Sequence, residues 1–552
     1  MKRVFAQGLN FVRIIVAGGL GLSLTLAGCG KFNPQESEPF VILTPPAPPT
    51  PRINGPKIFA VRPGSPVLFR IAATGDRPME FFATNLPANL SLDQNTGQIT
   101  GTLTAVGRYS VILRATNQFG SAERTLEIVC GDEIALTPPM GWNSWNCWAG
   151  KITQEKTLAA ARALVTSGLR DHGWSYVNID DGWQGRRGGE FNAIQPNAKF
   201  PGINALANEI HSLGLKFGIY STPWKTTFLG QIGSSADFAD GSNEWIRSGV
   251  HNEFFKYRFP EFHSRLRSYA WLRPLAMRSE ERERKKITKK LRVFGEFSFV
   301  RPDVAQWAKW NVDYVKYDWI PIDVAHTEEM GRALRASGRD IVFSVANNAA
   351  LSIAPQISPL ANSWRTSGDV KDNWASVSKT GFTRERWAQF SRPGHYNDPD
   401  MLVVGQVGWG KPHPTNLSPN EQYTQMSLWC LLAAPLFLGC DLEKLDPFTL
   451  GLITNDEVIA VDQDPLCLQA TRVARRGSTE IYAKPLADGS WAIGLFNRAR
   501  KTKDVSISWS ELKEAGAHSV RDLWRQKDLG VFAEKFSASV PPHGVMLVRV
   551  AR

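Results

Sequence analysis

The sequence predicts an α/β protein: a (β/α)8 TIM barrel flanked by a small N-terminal Ig-like β-sandwich and a C-terminal antiparallel β-sandwich. Three observations predict it. Between about Leu136 and residue 460, short apolar strands alternate with stretches of helical periodicity, over the length an eight-stranded barrel needs. On either side, in 53–132 and 461–552, helical spacing is missing and short strand-like runs are separated by turn residues. Within the alternating part, carboxylates recur where strands end, at Asp180 and Asp181, at Asp318, and at Asp398 and Asp400. The C-terminal strand edge is where such barrels carry their catalytic groups.

A chain of 552 residues is too long for one compact domain. Its formal net charge is +12 but is unevenly placed: residues 244–292 hold fourteen Lys/Arg against six Asp/Glu. Lys2, Arg3 and Arg13 add more at the N-terminus, and the remainder is close to neutral. That pattern does not support a nucleic-acid partner. The nineteen Trp residues are compatible with stacking on sugar rings, although Trp is more often a core residue.

In chain order, residues 1–28 read as a signal peptide, with Lys2, Arg3 and Arg13 ahead of an apolar run. Leu26-Ala27-Gly28-Cys29 resembles the lipobox of bacterial lipoproteins, which implies a lipid on Cys29 and a membrane anchor on the periplasmic or outer-membrane side. Residues 29–52 form a Pro-rich linker; Thr44-Pro45-Pro46-Ala47-Pro48-Pro49-Thr50-Pro51 reads as a stiff tether. The five other cysteines show no CxxC pair and no metal-ligand spacing, so neither a disulfide framework nor zinc is expected.

In 53–132, Val67 to Ile71 and Tyr109 to Leu113 read as strands, with Asn95-Thr96-Gly97 and Asn117 to Gly120 as turns. Leu90 to Thr102 resembles the immunoglobulin-like modules of bacterial surface proteins, and a spacer role is favoured over glycan binding. The barrel is assigned to 136–460. Thr153 reads as a helix N-cap and Gly168 as the stop. Strands are expected at Tyr176, at Leu215 to Tyr220, at Val312 to Tyr317, at Asp340 to Val345, from Met401 and at Leu436. A basic insertion at about 241–297 interrupts the alternation and reads as a solvated βα loop. Strands at 478–483, 491–497, 505–509 and 545–550 build the last domain.

Glycoside cleavage needs one carboxylate and one carboxylic acid flanking the scissile bond, and a barrel rim rich in Asp, Lys, Arg and Trp suits it. Beside Asp318, Lys316 is expected to hold the carboxylate ionised. Several motifs then occur in one family's order: Met140 to Asn146, Asp180-Asp181-Gly182-Trp183, Lys316-Tyr317-Asp318, Arg365 with Asp369, Asn397 to Met401, Ala433 to Phe437 and Gln463 to Leu466. Together they resemble glycoside hydrolase family 27, the α-galactosidases and α-N-acetylgalactosaminidases. The resemblance implies a retaining mechanism with Asp318 as nucleophile and Asp369 as acid/base. It places Trp145, Asp180, Asp181, Tyr220, Lys316 and Arg365 against a sugar, with Met401 lining the pocket, and it implies no metal or cofactor. The sequence departs from the family at Ala346-Asn347-Asn348-Ala349, where Cys-Glu-Trp is usual, and at Gly182, where Cys is common. The expected substrate is a terminal α-D-galactosyl group, with α-N-acetylgalactosaminide and β-L-arabinopyranoside as alternatives. An inert glycan-binding protein on the same scaffold is the competing class. It would be free to lose Lys316, Asp318, Arg365 and Asp369, and all four are present.

Overall fold

The computed structural model describes residues 41–247 and 289–552. The signal peptide, Cys29 and the centre of the basic insertion lie outside the described residues.

Parallel strands β1 (Met140–Asn143), β2 (Tyr176–Asn178), β3 (Lys216–Ser221), β4 (Tyr314–Asp318), β5 (Val342–Ala346), β6 (Ser363–Arg365), β7 (Tyr396–Asp398) and β8 (Leu436–Leu438) form one eight-stranded sheet in chain order. β8 returns beside β1, and a parallel bridge between Leu402 and Leu438 joins the β7 segment to β8. The sheet therefore closes into a barrel. Outside it run α1 (Gln154–Thr166), α2 (Ile203–Ser212), α3 (Val300–Lys309), α4 (Val324–Arg335), the single turn α5 (Ala354–Ile357), α6 (Trp374–Gly381), α7 (Pro419–Leu431), α8 (Pro447–Ile453) and α9 (Asp456–Asp462).

Local chemistry sets these boundaries. The Thr153 hydroxyl accepts the Lys156 N–H at the start of α1, and Gly168 just past its end has φ +82°. Only glycine adopts that value without strain, so the helix stops there. β4 starts at Tyr314, two residues later than the apolar pattern suggests; Asp313 just before it still bonds both neighbours, giving its N–H to the Phe217 carbonyl and accepting the Val342 N–H, while its carboxylate accepts the Phe217 N–H. The strand expected from Met401 is a correction. The paired residues are Tyr396–Asp398; Pro399 has no N–H to give, and Asp400 lies at φ +85°. The apolar run after Met401 contributes only the Leu402 bridge.

Helix α7 is buried from Glu421 through Leu431, since barrel and C-terminal domain cover both its sides. Its buried polar side chains find partners in both neighbours, the Gln422 Oε1 excepted. Gln425 accepts the Val403 N–H and donates to the Met401 carbonyl, and the Trp429 indole N–H donates to the Asp400 carbonyl at 2.6 Å. These bonds fix the Asp400–Val403 stretch.

The N-terminal sandwich packs a four-stranded sheet on a three-stranded one around Phe81, Val111, Leu126 and Ile128. It sits under the N-terminal ends of the barrel strands. Arg62 forks onto Asp340 at 2.8 Å, and the Lys216 ammonium lies 5.3 Å from the Phe59 ring and 5.4 Å from the Tyr176 ring. A cavity of about 130 Å³ lies in this junction, at the end of the barrel away from the clustered carboxylates.

Residues 41–51 do not stand off as a tether. The Leu43 N–H donates to the Tyr423 hydroxyl, Asn455 donates to Thr44, and the Pro49 carbonyl accepts from Asp76 and Asn117. The C-terminal domain is a six-stranded antiparallel sheet facing a two-stranded one around Ile493, Leu495, Ile507 and Phe536.

Candidate active site

β4 alternates its side chains, as a strand must. Val315 and Tyr317 point to the helices and join the main core, whereas Tyr314, Lys316 and Asp318 line the barrel interior. Lys316 and Asp318 thus emerge together at the C-terminal rim. The Lys316 ammonium lies 2.9 Å from Asp180 and 3.9 Å from Asp318, and 5.4 Å over the Tyr220 ring. Asp180 follows β2, and Tyr220 on β3 pairs in register with Lys316.

This corrects one expectation. Lys316 is bonded first to Asp180, so its pull on Asp318 is partial. Burial dominates at Asp318 and pushes its carboxyl up to about 6, against the attraction of Lys316 and with Asp180 and Asp369 adding to the rise. Asp318 is still mainly ionised at pH 7. For Lys316 itself burial disfavours the charge, but Asp180 and Asp318 outweigh it and hold the ammonium above the usual lysine range.

Three buried polar atoms meet here without partners: Asp181 Oδ1, Asp318 Oδ1 and the Tyr220 hydroxyl. Asp181 spends its other oxygen on the Leu229 N–H at 2.7 Å, while Asp180 accepts the Asp181 N–H at 2.8 Å. Burial pushes Asp181 up to about 7, although Thr227 and Leu229 bond to it. The Tyr220 hydroxyl is kept neutral by burial and by Asp318, Asp181 and Asp180. Buried polar groups left unpaired are costly, and a cluster of them marks a place built for a polar ligand.

Across the rim, Arg365 at the end of β6 is 4% exposed. Its guanidinium reaches Asp400 at 2.9 Å and Asp369 at 3.3 Å. Asp369 is 58% exposed, against 9% for Asp318. Partial burial would raise Asp369, but Arg365 and then Lys316 outweigh it and hold the carboxyl below its usual range. Trp145 is half-buried and packs on the cluster containing Met401, Tyr176 and Phe437. The structure therefore gathers Trp145, Asp180, Asp181, Tyr220, Lys316, Asp318, Arg365, Asp369 and Met401 around the C-terminal end of the barrel. Asp400, met in the sequence only as one of the carboxylates at a strand end, joins the site through its bond to Arg365. Among the described residues, no group of three or more His, Cys, Asp or Glu is placed to hold a metal ion.

Comparison with known proteins now bears on this geometry. The family model described as "Alpha galactosidase A" matches residues 137–256 and 253–464, and "Alpha galactosidase C-terminal beta sandwich domain" matches 476–550. Alpha-galactosidase 2 of Arabidopsis thaliana is 32% identical over 427 residues, covering 76% of this chain and 90% of that protein. The chain belongs to the α-galactosidase family. It is a glycoside hydrolase of this family, and the model described as "Putative Ig domain" matches its residues 50–131. A Bacteroides fragilis structure described as a "putative alpha-galactosidase/melibiase" superimposes with a TM-score of 0.75 at 31% identity, over 91% of this chain and 98% of that one. The β-L-arabinopyranosidase of Geobacillus stearothermophilus, also of glycoside hydrolase family 27, superimposes with a TM-score of 0.61 at 25% identity, over 76% and 98%. The α-galactosidase family thus includes more than one sugar preference.

Proposed function

We propose that this family member is a retaining exo-glycosidase that removes terminal α-D-galactosyl groups by double displacement. The observation that carries the reading is the convergence of the unpartnered Asp181, Asp318 and Tyr220 oxygens beside the charged Lys316. A ring with several hydroxyls satisfies all of them at once.

In the first displacement Asp318 attacks the anomeric carbon as the glycosidic bond breaks. Asp369 gives its proton to the departing oxygen. In the second, Asp369 takes a proton from water, which displaces Asp318 and restores the starting configuration. In the free protein Asp369 is ionised by Arg365 and Lys316, so its acid form arises when a bound glycoside covers this exposed carboxyl and withdraws its water. The Tyr220 hydroxyl, beside Asp318 and without a partner in the free protein, donates to the ring or to the nucleophile once a glycoside is bound.

Galactose differs from glucose in its axial O4. Asp180, Asp181 and Lys316 form a fixed set of charges suited to O3, O4 and O6. A site built to bond a hydroxyl rejects a sugar that places it elsewhere, because its own buried groups then stay unpaired. At the 2-position the usual Glu is replaced by Ala346 and the half-buried Asn347, so control there is relaxed. We expect kcat/KM for p-nitrophenyl α-galactoside to exceed that for the α-glucoside, the α-N-acetylgalactosaminide and the β-L-arabinopyranoside under one condition. If the α-glucoside or the arabinopyranoside runs faster, the galactosyl assignment is wrong. An inert glycan-binding protein would turn over none of the four.

The nucleophile must be ionised to attack. A carboxyl raised to about 6 loses that form as pH falls through 6, so kcat/KM for a dinitrophenyl galactoside, whose leaving group needs no proton from Asp369, is expected to fall about tenfold per unit below it. A profile flat down to pH 4.5 would contradict the role given to Asp318.

The reading also includes a lipid anchor at Cys29, supported by Leu26-Ala27-Gly28-Cys29 behind an apolar run. Cys29→Ser is expected to leave the membrane fraction for the soluble one. Unchanged membrane association, with no lipid on the native protein, would refute it.

A further inference from the structure

We propose that Asp400 is a positioning residue for the acid/base: it shares one guanidinium with Asp369 and pins the loop beside it. This rests on the roles proposed above for Asp318 and Asp369.

Arg365 uses Nη1 for Asp400 at 2.9 Å and Nη2 for Asp369 at 3.3 Å and the Ser367 carbonyl at 3.2 Å. The other oxygen of Asp400 accepts the N–H of Val370, the residue after Asp369, at 2.7 Å. A closed ring results: Arg365, Asp369, Val370, Asp400 and back to Arg365. Asp400 is itself held on both sides of its backbone. Its N–H donates to the Asp398 carboxylate at 2.7 Å, and its carbonyl accepts from Trp429. It sits at φ +85°, which Asp and Asn tolerate better than most residues. Its side chain is 5% exposed, so it does not present itself to a ligand as Asp369 does.

The ring has an electrostatic consequence. Facing Asp369 are the cations Arg365, Lys316 and Lys371, with the carboxylates Asp318 and Asp400 near the same guanidinium and Asp398 behind it. Burial raises Asp400 to about 6, with Arg365 opposing the rise. As long as Asp400 is charged, it takes part of Arg365 away from Asp369. Removing that charge gives Asp369 the whole guanidinium and removes a like charge, and both changes lower its pKa. Turnover requires Asp369 to be protonated in the first step, so the alkaline limb of kcat, which reports the substrate-bound protein, moves to lower pH.

The test compares two galactosides, one with a 2,4-dinitrophenyl leaving group that needs little protonation and one with an alkyl leaving group that needs it fully. For Asp400→Asn the alkaline limb is expected to fall by roughly one pH unit. At pH 7 the alkyl galactoside is expected to lose on the order of tenfold more kcat/KM than the dinitrophenyl galactoside. Asp400→Glu keeps the charge but displaces Val370, so its limb stays within about 0.3 units while the alkyl galactoside slows. An unmoved limb in Asp400→Asn, or equal losses on both substrates, would overturn the proposal. If Asp400→Asn does not fold, Asp400→Glu decides: full activity on the alkyl galactoside, or a limb shifted as far as one unit, would overturn it as well. Asp369→Ala separates this from the reading beneath. If that variant shows no dependence on the leaving group, Asp369 is not the acid/base and the functional reading fails. If it does and Asp400→Asn does not, only the positioning role fails.

Discussion

Asp318→Asn is expected to lower turnover on the order of 10⁵-fold while making the folded protein more stable. The two effects come from one cause. Asp318 is buried with one oxygen unpartnered, and burial raises its carboxyl to about 6. An acid whose folded pKa lies above its unfolded value destabilises the fold once it must ionise. The penalty is absent below the unfolded pKa, grows between there and about 6, and is complete above. A shift of about two units corresponds to roughly 3 kcal/mol at neutral pH, as an order of magnitude. Asparagine keeps the shape and sheds that cost, and Lys316 keeps Asp180 at 2.9 Å. Chemical denaturation at pH 7.5 and at pH 4 is the check. The variant should gain at the higher pH and gain little at the lower. A variant that is inactive and also less stable at pH 7.5 would point to a structural role for Asp318.

Asp369→Ala carries the second large effect, and it is selective. Without a proton donor, substrates with poor leaving groups are expected to lose about 10³–10⁴-fold in kcat/KM, and dinitrophenyl galactoside far less. Deglycosylation then limits the activated substrate, and azide can replace the water that no longer has a base. The expected product is the α-galactosyl azide, formed with retained configuration; azide rescue of Asp318→Ala should give the β-azide instead. Stability is expected to change little, because Asp369 is 58% exposed. Equal losses on all leaving groups, or a β-azide from Asp369→Ala, would remove Asp369 from the acid/base role.

Much of this site was legible in the chain because barrel strands place their functional groups at one edge. Lys316 and Asp318 lie two apart on one strand, so they must share a face. Asp180 and Asp181 come just after β2, and Arg365 ends β6 with its loop following. What sequence spacing hides is contact across the barrel. Lys316 is two residues from Asp318 but is bonded to Asp180, more than a hundred residues earlier, because β3 lies between their strands in register. The Asp400–Arg365 pair is closer in the chain but equally hidden, because only the fold brings β6 and β7 together. Apolar pattern misplaced the β7 strand because Met401 to Val404 is buried without pairing along its length, held instead by Gln425 and Trp429. In the last domain, Thr471–Arg476 and Lys527–Phe532 escaped notice because they are edge strands whose charged, exposed residues break the apolar alternation.

The central claim is that a covalent sugar ester forms on Asp318. A 5-fluoro galactosyl fluoride reacts through its good leaving group and then turns over slowly, because fluorine destabilises the second transition state. Incubation followed by peptide mapping is expected to show one added fluorogalactosyl mass, on the peptide holding Lys316-Tyr317-Asp318 and on Asp318 itself, with none in Asp318→Asn. A label on any other residue, or no label together with inversion at the anomeric carbon by proton NMR, would contradict it.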